Sequence, residues 1–398
     1  VRLMFKKILG LTVAAAVVTA VSPVMAPAQA KDIKIGFVTT LTTPAALIGK
    51  QMKMAVELAM DHIGHKMGGR NVKILFEDDG FNPKIGKQKT EKLIKKDKVD
   101  IMAGYIWSHV LGASAPVVLK AGKFFFSANA GHAIYAGKKC HKNFFNVSWE
   151  NSQNAHATGI YLNKQGVKNL YILSLNYAAG KQVVGGIERG YKGKVIGKDL
   201  VPMSHKDWSA ELTKIRAAKP DAVIAFYPGA WGPKFFGQYA QAGLNKTIPL
   251  YHVFSIDMGN LPIFQKIGLN VLNTFQTAQW SPDFKNAASQ KFVSGFKKKY
   301  GVTPNHFAAQ AYETIMLIKS GVDAVGGDMS KMDAMRAAFE KADFAAVRGK
   351  FRYEKNHYPI QDFYAREVVK GADGKWTIVQ RGLVVSDSRA YNHKDCKR

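Results

Sequence analysis

Cysteine is scarce, long apolar runs are almost absent and acidic residues are outnumbered, and each shortage removes a class of protein. The 398 residues hold two cysteines, Cys140 and Cys396. Two thiols cannot complete a structural zinc site, and the histidines are not clustered to help them. No segment after residue 30 is apolar over the roughly 20 residues that a membrane span requires. A glycine-rich phosphate loop is also missing: Gly185-Gly186 falls within a predicted helix, and Gly229-Ala230-Trp231-Gly232 lacks the lysine and hydroxyl of a nucleotide site. No cofactor and no metal are therefore expected. Acidic residues number 29 against 57 basic ones, a formal charge of +28, which raises the question of a polyanionic partner. The lysines are scattered along every predicted helix, however, and only Lys297-Lys298-Lys299 forms a run. A solvated cationic surface accounts for that pattern. With no zinc spacing and no helix-turn-helix signal, nucleic-acid binding is not expected.

What is present begins at the N-terminus. Arg2, Lys6 and Lys7 precede an apolar run from Ile8 to Val21 and then the small residues Ala26-Pro27-Ala28-Gln29-Ala30, the pattern of a secretory signal peptide over residues 1–30. The run contains Gly10, Thr12 and Thr19 and is short for a membrane anchor. Cleavage is expected after Ala30. No cysteine lies near that point, so a lipid anchor is not expected, and the mature chain, with a net charge of +25, is expected to be free in a periplasm-like space. In that oxidising space Cys140 and Cys396 are expected to form a disulfide that ties the tail, residues 386–398, to the lobe holding Cys140.

From Asp32 onward, short apolar runs alternate with amphipathic stretches, which predicts βα units around mainly parallel sheets, an α/β fold. Strands are read at 33–38, 72–76, 99–103 and 124–126, with helices following Pro44 and Pro83 and over 108–120. A second series starts near Asn143, with strands at 170–174, 194–198, 222–227 and 249–254 and helices at 180–191, 208–218 and 233–242. A third part, from about Ala278, holds helices at 286–300, 306–325 and 331–341 and then β-rich sequence to Val385. The 368 residues after the leader suit two domains rather than one. The late helices imply that the chain crosses back between the lobes, giving lobe 1 from 31–149 plus 279–352 and lobe 2 from 150–278 plus 353–385.

Several stretches carry a family likeness: Asp32-Ile33-Lys34-Ile35-Gly36, Glu77-Asp78-Asp79-Gly80-Phe81-Asn82-Pro83, and Gln241-Ala242-Gly243-Leu244 leading to Pro249-Leu250. In order and spacing they resemble the type I periplasmic binding proteins, closest to the leucine/isoleucine/valine-binding group of ABC importers, over about residues 31–375. The resemblance implies two Rossmann-like lobes joined by three crossovers, with a ligand cleft between them. In doubly wound sheets such a crevice lies at the carboxyl ends of strands, where helix N-termini attract anions. The loops at 40–44, 104–109, 127–131, 176–180, 227–231 and 255–257 are therefore the candidate site.

By resemblance, Ser108 matches the serine that holds a ligand carboxylate, and Asn129, Ala130 and Gly131 occupy the second carboxylate loop, with Gly131 where relatives carry threonine. Asp257 is the candidate partner for a ligand ammonium group. Thr43 lies on the first loop. Tyr105, Trp107, Tyr177, Tyr227 and Trp231 load these loops with aromatic faces, which suits a flat ligand. The expected function is capture of a small carboxylate-bearing ligand, an aromatic acid favoured, by a monomer that closes around it and presents it to membrane permease subunits. The alternatives are a branched-chain or other amino acid for the same type of importer, or a ligand sensor that needs a separate receptor, since the chain ends without a transmembrane or kinase segment. An enzyme is not expected: Ser108-His109 beside Asp78 and Asp79 mimics a triad, but adjacent side chains in a sequence point apart.

Overall fold

A computed structural model describes residues 31–43 and 45–398. The signal-peptide reading over residues 1–30 lies outside the described residues, as does Pro44. No described helix is long and apolar enough to cross a membrane.

The alternation read from the sequence folds into three sheets. The first is built from β1 (Ile33–Thr39), α1 (Ala46–His62), β2 (Lys66–Met67), β3 (Arg70–Asp78), α2 (Pro83–Lys95), β4 (Ile101–Gly104), α3 (Ser108–Lys120), β5 (Phe124–Ser127), α4 (Ala133–Ala136) and β6 (Phe144–Asn146). Its strand order is β2-β3-β1-β4-β5-β6, with β1 parallel to both β3 and β4. Strands β4, β5 and the edge strand β6 are buried along their whole length, as continuous apolar runs such as Phe124-Phe125-Phe126 must be when helices cover both faces of a parallel sheet.

The second series runs through α5 (Asn151–Lys164), β7 (Asn169–Leu175), α6 (Ala178–Gly190), β8 (Lys194–Val201), α7 (Ser209–Ala218), β9 (Ala222–Phe226), α8 (Trp231–Gln241) and β10 (Leu250–His252). It forms a four-stranded parallel sheet in the order β10-β9-β7-β8. The third part contains α9 (Leu261–Lys266), β11 (Phe275–Ala278), α10 (Ala287–Tyr300), α11 (His306–Asp323), α12 (Met332–Lys341), β12 (Arg352–Tyr353), β13 (Pro359–Lys370) and β14 (Trp376–Ser388). Helices α10 and α11 return to pack on α1 of the first half, whereas β11, β13 and β14 pack against α5 of the second. The chain thus passes between its halves more than once.

Charge is concentrated where these passages meet. Arg348 and Glu313 form an ion pair with side chains only 2% and 1% exposed. The Arg348 guanidinium also donates to the carbonyls of Val147 (2.5 Å) and Ser148 (3.1 Å) and to Gln361 Oε1 (2.5 Å). One side chain therefore fastens α11, the segment before α5, and β13. The only described cysteines, Cys140 and Cys396, are joined in a disulfide with Cα atoms 5.6 Å apart, which holds the C-terminal tail beside α4.

Candidate functional site

A narrow cavity of about 30 Å³ lies between the two halves, well below the roughly 300–1,000 Å³ typical of small-molecule sites, so a guest must part the walls to fill it. The loops at the carboxyl ends of the strands build most of it. From the first half come Ile48 of α1, Ile106 and Trp107 after β4, Ser108 at the start of α3, and Asn129 after β5. From the second come Asn151 at the start of α5, Tyr177 and Ala179 around the start of α6, Val183, Phe226, Pro228, and Phe254 beyond β10. Trp149 and Phe307 complete the walls. None of the fourteen wall residues is acidic or basic.

The polar part of the wall is held by a chain of hydrogen bonds. Asn151 Nδ2 donates to Ser108 Oγ (2.9 Å) and to Gln182 Oε1 (2.7 Å), while Asn151 Oδ1 accepts from the Gly131 amide (3.1 Å). The serine oxygen is occupied as an acceptor, so its own O–H remains available to donate. Asn129 is engaged at both ends, donating to the Ile106 carbonyl (2.7 Å) and accepting from Gln310 Nε2 (2.6 Å). Its role is therefore to fix the loop. Helices α3 and α6 meet the cavity at Ser108 and Ala179, and neither has a side-chain cap on its first turn. Uncapped N–H groups and the helix dipole favour a negative ligand group there.

Much of the remaining wall is built of ring faces. Trp149 stacks on Phe254 with centroids 4.5 Å apart, Phe254 stacks on His306 at 4.8 Å, and Tyr177 lies parallel to Phe226 at 6.3 Å. Burial holds the His306 imidazole well below its usual pKa, so at neutral pH it is one more uncharged ring. Phe254 has a left-handed backbone (φ 56°). That conformation costs a residue with a Cβ of the order of 1–3 kcal/mol and is typically met at functional sites.

Of the residues expected at the site, Trp107, Ser108, Asn129 and Tyr177 line this cavity, and the other seven do not. Tyr105 adopts a left-handed backbone (φ 66°) that turns its ring inward against Phe125, where its hydroxyl meets Thr90 Oγ1 at 2.6 Å. Tyr227 is packed among Trp208 and Phe235. The Ala130 carbonyl accepts from Ser127 and Asn146, which makes it part of the sheet edge. At Gly131 a Cβ would lie 2.2 Å from the Trp149 carbonyl oxygen, so no threonine can stand there. Asp257 is buried, accepting at Oδ1 from Asn305 (2.9 Å) and the Gly259 amide (2.6 Å), and burial raises its pKa. Thr43 and Trp231 lie on a separate outer chamber. The sequence reading missed Trp149, Asn151, Phe226, Phe254 and Phe307. Phe226 and Phe254 carried a signal, each as the residue ahead of a candidate loop.

Behind Trp107 lies a short relay. The indole N–H donates to Thr40 Oγ1 (2.8 Å), whose hydroxyl donates to Asp79 Oδ1 (2.6 Å). Burial pushes the Asp79 carboxyl up to about 6.

Two α/β halves with a small uncharged cavity at the carboxyl ends of their strands define a two-lobed small-molecule-binding protein of type I architecture. The chain belongs to the periplasmic binding protein family, whose model matches residues 32–375. It is 25% identical over 366 residues to Leu/Ile/Val-binding protein homolog 6 of Brucella abortus (strain 2308), covering 88% of this chain and 90% of the relative. Among solved structures, an ABC-transporter solute-binding protein from R. palustris in complex with benzoate is 32% identical, with a TM-score of 0.86, over 92% of this chain and 100% of that one. A leucine-binding protein from Thermotoga maritima MSB8, 18% identical with a TM-score of 0.77 over 88% of this chain and 98% of its own, shares the fold. Family members are periplasmic solute-binding proteins.

Proposed function

We propose that this chain is the solute-capturing component of an ABC importer and that its inner cavity takes a small aromatic monocarboxylate. The observation that carries the reading is an uncharged wall that combines hydroxyl and amide donors with aromatic ring faces. The Ser108 hydroxyl and the first turns of α3 and α6 offer donors to a carboxylate. Tyr177, Phe226 and Phe254 offer a flat apolar slot to a ring. An α-amino acid needs a counter-charge for its ammonium group, and the walls supply none. Asp257 is absent from them and already accepts two hydrogen bonds. The relative from R. palustris was solved with benzoate, which agrees with this chemistry.

The lobes are proposed as 31–149 plus 279–352 and 150–278 plus 353–385. The ligand first meets Ser108 and the donor turn of α3, and then the second half closes its rings over it, because a ligand that touches both halves favours the closed state. The closed monomer, in the periplasm, is what permease subunits recognise. A thermal-shift screen of benzoate, 4-hydroxybenzoate, leucine and succinate tests the ligand class, since binding to the native state raises the melting point by mass action. The aromatic acids are expected to give the largest shifts. A larger shift with leucine would replace this reading with an amino-acid carrier.

A further inference from the structure

The inner cavity carries no charge with which to draw an anion from solution, but a second chamber beside it does. Three rings stand between the two spaces: Phe81 and Trp107 from the first half and Trp231 from the second. Their centroids are 4.8 Å apart for Phe81–Trp107, 5.4 Å for Phe81–Trp231 and 6.0 Å for Trp107–Trp231. Trp107 lines the inner cavity, whereas Phe81 and Trp231 line an outer chamber of about 320 Å³. Each indole is tied to its own half, Trp107 through Thr40 (2.8 Å) and Trp231 through the Met203 carbonyl (3.2 Å). The rings can therefore separate when the halves separate, with no hydrogen bond broken.

The outer chamber combines apolar and cationic chemistry. Ala45, Phe81, Ala230 and Trp231 give it apolar surface, Lys206 and Lys234 stand at its edge, and no acidic residue lines it. Neither lysine makes an ion pair among the described residues, whereas His205, also on the lining, is engaged by Glu211 at 3.3 Å. Phe81 has a left-handed backbone (φ 65°), the same departure seen at Phe254 in the inner cavity.

We propose that the outer chamber is an encounter site for the aromatic acid: Lys206 and Lys234 draw the carboxylate, Phe81 and Trp231 receive the ring, and the three-ring wall divides the waiting ligand from the held one. This rests on the ligand class proposed above. Charge of this kind acts on association far more than on dissociation.

The test is stopped-flow tryptophan fluorescence of the full chain with benzoate, comparing the unaltered protein with Lys206→Gln/Lys234→Gln. The association rate constant is expected to fall roughly five- to tenfold at low ionic strength, with the dissociation rate unchanged. The gap is expected to close toward 1 M salt, where screening acts within roughly 3 Å. Lys96→Gln/Lys266→Gln removes two exposed charges outside both chambers and is expected to change association by less than about twofold. Unchanged association in Lys206→Gln/Lys234→Gln, or an equal fall in the control pair, overturns the encounter site while leaving the ligand class standing. Failure of the unaltered protein to bind benzoate removes both.

Discussion

The buried ion pair at Arg348 and the ligand cavity are built on opposite plans. Around Arg348 every charge is matched: Glu313, two carbonyls and Gln361 surround the guanidinium, and the parts of the chain that pass between the halves converge on it. Around the cavity there is no charge at all, the Ser108 hydroxyl keeps a donor free, and two helix starts are uncapped. The contrast separates two tasks. The first region spends its polar groups on itself and fixes how the halves are joined, whereas the second leaves donors unspent for a guest.

Breaking the first region is expected to have the largest effect. Arg348→Met strands the Glu313 carboxylate in the interior, and loss of one partner of a buried pair costs about 3–5 kcal/mol. Urea unfolding is the measurement, and a change below about 1 kcal/mol would show that the pair fastens nothing. Reducing Cys140–Cys396 should cost about 2–5 kcal/mol, read as a lowered melting temperature with benzoate affinity preserved.

The third test probes the backing of the cavity. Asp79 has its folded-state pKa raised to about 6, so its neutral form prevails in the fold below about pH 6. Its stabilising contribution is complete below the unfolded value near 4 and is lost as pH rises through 6. Relative to Asp79→Asn, the unaltered protein should lose about 3 kcal/mol between pH 4 and pH 7. Parallel stability curves for the two proteins would refute the shift.

The smallest effect on stability, but the sharpest on binding, belongs to Ser108→Ala. Loss of a hydrogen bond to a charged group costs about 1.5–3 kcal/mol, roughly 10- to 100-fold in Kd by calorimetry, while the melting temperature of the unliganded protein stays where it was. Equal affinity would take Ser108 out of the site.

Much of the fold was legible because most elements carry their own period. Helix α3 falls at 108–120 as read, and the strand at 124–126 is a pure apolar run. Helix α5 was not read. Its sequence, Asn-Ser-Gln-Asn-Ala-His-Ala-Thr-Gly, has the look of a loop, yet Ser152, Gln153, Asn154 and Thr158 are buried. Hydrogen bonds to their neighbours pair most of these groups: Asn154 Oδ1 accepts from Thr277, and Gln153 Nε2 donates to the Pro359 and Ser388 carbonyls, while Asn154 Nδ2 is left unpaired. Hydrophobic periodicity cannot report a helix whose buried face is polar.

The site was legible in its loops and not in its side chains. Strand-end logic found Trp107, Ser108 and Tyr177, but nothing local distinguishes Tyr105 from Trp107, and a left-handed backbone sends the first of them into the core. Trp149 and Asn151 border the unread helix, so they went unread with it. Phe307 belongs to α11, which returns to the cavity from more than 100 residues downstream of the β5 loop.

The uncharged walls carry one more consequence. At a steady pH near neutral, with no wall group that gains or loses a proton and acid acting only through Asp79 behind Trp107, the pocket itself has no way to loosen its hold. Unloading then depends on mechanical work done from outside, by whatever prises the halves apart, and the strength of the grip becomes a quantity that a docking partner must overcome.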